Sequence, residues 1–214
     1  PQELRPKASV VVKGQLSISD ELSQSPIGLE LRYAQSKRAQ AIDLGDDGAF
    51  AAIVDLSTSE DVLLVAKAKD AAFSAGLVID QEKAQPALVT ADLTLRSAQE
   101  KNAAFEIQDI HYSTGSATID RTSLLLLDLF AEYLMETNMI VEIGGHTDNV
   151  GSDMDNMALS QSRSKAVRAH LLSQGVPANR VQAAGYGETS PRASNDTSSG
   201  RAKNRRTEFK VLSR

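Results

Sequence analysis

The spacing of hydrophobic residues changes once along this chain, and the change limits what it can fold into. Up to Leu95, apolar residues alternate with polar ones or come in brief runs: "ASVVVKGQLSI", "IGLELRYA", "AFAAIVDL", "DVLLVAKA", "FSAGLVID" and "LVTADLTL". A period of two marks strands with one buried face. Turn residues separate them. "SQSP" precedes Ile27, and "GDDG" at Gly45–Gly48 holds an Asp-Gly pair of the kind hairpins favour. Six or seven short strands at this spacing predict an antiparallel β-sandwich over residues 1–95. The acids of "DLGDD" could attract calcium, but a tight turn with solvated carboxylates is the preferred reading.

Past the polar stretch "RSAQEKNA", read as a linker over residues 96–104, the pattern alters. "FEIQDIHYSTGSATI" reads as a strand with a turn. "DRTSLLLLDLFAEYLMETN" reads as a helix capped by Asp120 or Thr122, with Leu124, Leu127, Phe130 and Leu134 at helical spacing. "MIVEIGGHTD" is a strand, and "DMDNMALSQSRSKAVRAHLLSQG" is a second helix, capped by Ser152 or Asp153 and stopped at Gly175. "NRVQAAGYGE" and "NRRTEFKVL" complete the order β-α-β-α-β-β over residues 105–214, an α+β unit with helices on one face of a mixed sheet. The chain is thus read as two domains, all-β then α+β.

Composition removes several functions. The chain has no cysteine, so disulfides and thiolate metal sites are excluded. Its formal net charge is -5 and neither half is basic, which argues against nucleic acid as a partner. Aromatics are 4% with no tryptophan, too few for a base-stacking surface. No apolar run is long enough to cross a membrane as a helix. The sequence opens on Pro1 rather than methionine, so a leader, and an anchor upstream, are expected in the full protein.

On a helical wheel of the second helix, Leu159, Arg163 and Val167 follow at four-residue steps along what reads as the inward stripe, while Lys165 and Arg168 point to solvent. A guanidinium on such a stripe needs an anion, because an unpaired buried charge is costly. Asp148, at the carboxyl end of a strand and ahead of the helix that carries Arg163, is the nearest candidate. Two arrangements fit. The two residues pair with each other and lock the loop, or they face a shared cavity and hold the ammonium and carboxylate of an amino-acid end. Spacing alone leaves both open.

The run from Ile140 to Val211 resembles the peptidoglycan-associated OmpA-like family shared by OmpA, the Pal lipoprotein and MotB. The matching motifs are "GHTDNVGS", then Asn156, Leu159, Ser160 and Arg163 in the pattern N-x-x-L-S-x-x-R, then "GVPANRV", "GYGETSP" and "GRAKNRR". The likeness continues upstream through "IHYSTGSATI" and so covers about residues 105–214. It implies a non-catalytic grip on the diaminopimelate of cell-wall stem peptides. Asp148 and Arg163 would hold the amino-acid end, with lesser roles for Asn156 and Arg205 and with Thr147, Asn149, Leu159, Tyr112 and Ser113 around them. Where the family's first strand has aromatic-aromatic-Asp, this chain has His111-Tyr112-Ser113, and the lost carboxylate could loosen the site. The implied setting is the periplasm, with peptidoglycan as partner, outer-membrane association and no cofactor. Residues 8–95 show a looser likeness to carboxypeptidase-regulatory-like and transthyretin-like modules, which implies an interaction or spacer domain with an envelope partner. A homodimer through helix faces is left open.

Other chemistries are weaker. His146 shares a strand face with Asp148, but a metal would need a third ligand, and only His111 and His170 remain; packing beside the site is preferred. No G-x-S-x-G elbow and no phosphate loop occur, which speaks against an enzyme. A wall-remodelling enzyme or regulator, or an interaction module whose site is closed by an internal Asp148–Arg163 pair, stand as alternatives.

Overall fold

The computed structural model describes residues 9–22, 24–68, 72–83, 85–97, 104–105, 110–113 and 115–213. Most of the expected linker, and residues 106–109 of the strand expected after it, lie outside these. The chain divides into two compact units, Pro1–Ser97 and Ala98–Arg214.

The first unit contains β1 (Ser9–Ile18), β2 (Ile27–Tyr33), β3 (Ala39–Ala41), β4 (Ala49–Asp55), β5 (Val62–Ala68), β6 (Ala72–Ile79), β7 (Leu88–Thr90) and β8 (Leu93–Leu95). One sheet has the order β4-β1-β7, with β8 also on β1, and the other has the order β3-β2-β5-β6. Alternation along β1 turns Val10, Val12 and Leu16 inward, where they join Phe50 and Val54 and, from the second sheet, Leu29, Leu31, Tyr33, Leu64 and Ala66 in one core. Two sequence expectations are corrected. The first sheet is not wholly antiparallel, since β1 pairs in parallel with β7 and β8. The Gly45–Gly48 turn is not a hairpin between partners, because β3 pairs with β2 and β4 with β1. Asp47 accepts the Ala49 amide within that turn, and the Gln15 side chain donates to the Asp47 carbonyl.

The second unit contains β9 (Ala104–Phe105), α1 (Arg121–Glu136), β10 (Ile140–His146), α2 (Asp153–Ser173), β11 (Val181–Gly187), α3 (Ser198–Asn204) and β12 (Thr207–Ser213). The mixed sheet runs β11-β10-β12-β9, with β10 parallel to β11 and antiparallel to β12. α3 was absent from the expected order, because "SSGRAKN" has no apolar stripe to announce it. Asp120 caps α1 by accepting the Ser123 amide at 2.7 Å, and Ser152 caps α2 through the Asp155 amide. Gly175 ends α2 with a φ of 95°.

Val141, Ile143 and Gly145 of β10 look toward the helices. Phe209, the register partner of Ile143, meets Phe130 of α1 edge-on at 4.6 Å. Gly145 and Gly185 lie directly under α2: an added Cβ at Gly145 would strike the Ser160 carbonyl, and one at Gly185 the Gln161 amide. The first half of α2 therefore rests on the sheet nearly backbone to backbone.

This contact corrects the wheel. The buried stripe of α2 is Asn156, Ser160, Ser164, Val167 and Leu171. Leu159 and Arg163 are half-buried and flank it. Small side chains suit the inner face where the helix presses on the glycines, and Ser160 uses its hydroxyl to accept the Gly187 amide at 2.9 Å. Arg168 is not free in solvent either; it donates to the Val181 carbonyl at 2.8 Å.

Candidate functional site

β10 delivers its loop to a fixed place. The His146 amide donates to the Arg206 carbonyl at 3.0 Å and the Thr147 amide to the Gly187 carbonyl at 2.9 Å, so the strand end is tied to both neighbours. Asp148 follows, buried at 7% exposure. One of its carboxylate oxygens accepts the Val150 amide at 3.1 Å, closing an Asx turn. Its backbone carbonyl accepts from Asn156 Nδ2 at 3.2 Å, and the same amide group donates to Glu188 at 2.6 Å. Asp148 is thus set by α2 and by the loop after β11.

The other carboxylate oxygen accepts from Arg205 Nη1 at 2.6 Å. Arg205 follows α3, and its amide returns to the Arg201 carbonyl. The neighbouring Asn204, fully buried, fixes this turn. Its oxygen accepts the Arg192 and Ala193 amides, and its nitrogen donates to the Ala193 carbonyl and to Asn195.

Arg163 sits differently. Its Nε donates to the Ser116 carbonyl at 3.0 Å, and its guanidinium lies over the Tyr112 ring at 4.7 Å. Among the described residues no carboxylate is within ion-pair distance of it. Burial and the nearby Arg205 charge push its pKa down, while Tyr112 and Asp148 oppose this. Tyr112 is held by its hydroxyl to Thr207 at 2.8 Å, and burial raises its pKa. The loop beneath closes on itself: the Ser113 amide donates to the Thr118 carbonyl and the Ser113 carbonyl accepts the Ser116 amide.

The structure therefore joins Asp148, Arg205 and Asn156 by direct bonds and sets Arg163 against Tyr112. The closed Asp148–Arg163 pair considered from sequence does not form: Asp148 pairs with Arg205 instead. Thr147 is buried, with its hydroxyl sealed from solvent and without a hydrogen-bond partner. Asn149 and Ser113 are exposed and Leu159 is half-buried. Sequence reasoning missed Ser116 and Glu188. Ser116 acts through its backbone, which leaves no side-chain signal. Glu188 stood in the quoted "GYGETSP" but was not singled out.

His146 lies on the other face of the sheet, stacked on Tyr186 at 5.1 Å. Burial, then the Arg206 and Arg192 charges, lower its pKa to about 4 against the pull of Glu208, so it is neutral at pH 7. Among the described residues no group of three metal-ligand side chains converges.

A mixed sheet with helices defines an α/β domain, and the end of its central strand carries a carboxylate paired with one guanidinium and within electrostatic reach of a second. Residues 111–205 match the OmpA family, and this part of the chain belongs to it. Outer membrane protein A of Bordetella avium is 32% identical over 136 residues, 63% of this chain and 64% of that protein. Peptidoglycan-binding protein ArfA of Mycobacterium tuberculosis is 46% identical over 71 residues, 33% of this chain and 22% of that protein. The chain spans less than two thirds of the length of either relative. The crystal structure of the peptidoglycan-associated lipoprotein from Burkholderia pseudomallei is 28% identical, over 54% of this chain and 93% of that one, with a TM-score of 0.44.

Proposed function

We propose that the second unit binds peptidoglycan without cutting it, taking the free amino-acid end of a diaminopimelate stem between Asp148 and Arg163, and so tethers the outer membrane to the wall from the periplasm. The carrying observation is Arg163, a half-buried cation with no carboxylate partner among the described residues, within electrostatic reach of the buried Asp148. Such a cation calls for an anion from outside, and a carboxylate matches its planar donors. Family membership and the naming of ArfA as a peptidoglycan-binding protein support the same reading. The first unit serves as an interaction or spacer module toward an envelope partner.

Sedimentation with purified sacculi tests this. The chain is expected to co-sediment and to release no soluble muropeptides. Asp148→Asn and Arg163→Met are each expected to stay in the supernatant. Retention of the double variant at the wild-type level sinks the assigned site, and released muropeptides would make the protein an enzyme.

A further inference from the structure

We infer that Arg205 is a specificity residue: it pairs with Asp148 and yields only to a ligand that brings a carboxylate together with its ammonium. This rests on the diaminopimelate reading above and deepens it.

The argument starts from which partner can move. Asp148 is held at its carbonyl by Asn156 and at one carboxylate oxygen by Val150, and its side chain is 10% exposed. Arg205 reaches the other oxygen from a side chain that is 49% exposed. If the pair opens, the arginine swings away and the acid stays. Arg163 has already spent its Nε on Ser116 and one face on Tyr112, so it meets a ligand carboxylate through its two Nη groups, end-on. The Arg205 charge acts on Arg163, so the two cations share one locality. Asp148, Arg163 and Arg205 together carry one surplus positive charge.

Each ligand class meets this cluster differently. A bare amine must break the Arg205–Asp148 pair, leaves that guanidinium without a partner, and adds a second surplus positive charge. A bare carboxylate gains Arg163 but nothing at Asp148. An α-amino acid end replaces Arg205 on Asp148 with its ammonium, and its carboxylate accepts from Arg163 and from the released Arg205. A bare amine only trades one ion pair for another and strands Arg205, whereas the zwitterion replaces the Asp148–Arg205 pair and gives the released Arg205 a carboxylate of its own. Arg205 thus acts against the wrong ligand as much as for the right one.

The test is calorimetric titration of the intact chain with diaminopimelate and with 1,5-diaminopentane, which has the same two amines and no carboxylate. Wild type is expected to bind the first and not measurably the second. Arg205→Gln should make diaminopentane binding measurable and reduce the preference for diaminopimelate by about two- to fivefold, the scale of a half-exposed ion pair. Arg205→Lys should restore the preference, and thermal unfolding should show all three proteins equally folded. If Arg205→Gln weakens both ligands alike, or leaves the amine unbound, Arg205 merely braces Asp148 and the inference falls while the wall-binding reading stands. If wild type fails to bind diaminopimelate and sediments with sacculi regardless of Asp148→Asn, the assignment of the diaminopimelate site to Asp148 and Arg163 falls and takes the inference with it.

Discussion

At the scale of single residues, Arg163 separates stability from binding. Its fold contacts are one hydrogen bond to a carbonyl and one ring face. Arg163→Met keeps the aliphatic stem over Tyr112, so it should change unfolding free energy by no more than about 1 kcal/mol while abolishing sacculus retention. Arg163→Lys should not rescue retention, because an ammonium cannot donate to Ser116 and also present two parallel donors to a carboxylate. Chemical denaturation and sedimentation of the same preparations check both. A large loss of stability in Arg163→Met would make the residue structural. His146 carries a different expectation. Its folded pKa of about 4 lies below the ordinary 6.5, so the unfolded chain binds the extra proton first as pH falls. Stability from this group is complete above pH 6.5 and is lost progressively down to about pH 4. His146→Gln should flatten the denaturation midpoint across that window. A midpoint in the variant that still falls as steeply would assign the acid sensitivity elsewhere.

At the scale of elements, α2 governs the site because it is pressed onto Gly145 and Gly185. Gly145→Ala forces the helix off the sheet and should destabilise by about 1–3 kcal/mol or more. Since Asn156 on the same helix holds the Asp148 carbonyl, wall retention should weaken as well. The cap of α1 is a milder case. Asp120→Ala should cost about 1 kcal/mol, read from the denaturation midpoint, with no effect on retention. Burial tends to raise the Asp120 pKa, but the bonds from Ser123 and Thr122 win and lower it. How much was legible from sequence follows the same contacts. Both long helices, their Asp120, Ser152 and Gly175 signals and the parallel-plus-antiparallel sheet are local patterns that sequence carries. The inner face of α2 is not legible from hydrophobicity because small serines line it, over glycines about fifteen and twenty-five residues away along the chain. The wheel puts Arg163 on a greasy stripe, and it stands instead at the edge of a largely polar one. The Asp148–Arg205 pair is hidden from sequence for a related reason: Arg205 is brought in by α3, an element whose only local cues are its Thr197 cap and a buried asparagine. The parallel pairing of β7 and β8 with β1 was equally hidden, since strand alternation says which face is buried and nothing about which neighbour is chosen.

At the scale of the whole molecule, the proposed task sets the strength each site should have. A tether between two growing surfaces must release and rebind, so the single site should be weak, and holding should come from many copies acting on one wall. The Asp148–Arg205 pair works in that direction, because it must be exchanged for each ligand rather than simply met. Multivalent engagement can raise apparent affinity by about 10²–10⁴ with no new contact. The chain displayed on beads should therefore retain sacculi with a half-life that lengthens steeply with surface density, while titration with free diaminopimelate gives one weak constant at every density. Raising ionic strength should shorten the half-life, since Arg205 and part of Arg163 face solvent and their attraction is screened over about 10 Å at 0.1 M salt. Arg163→Met should remove the density dependence altogether. If sparse and crowded beads release sacculi at the same rate, one site per molecule is already strong enough to hold the wall, and reversible holding by many weak contacts is not how this protein works.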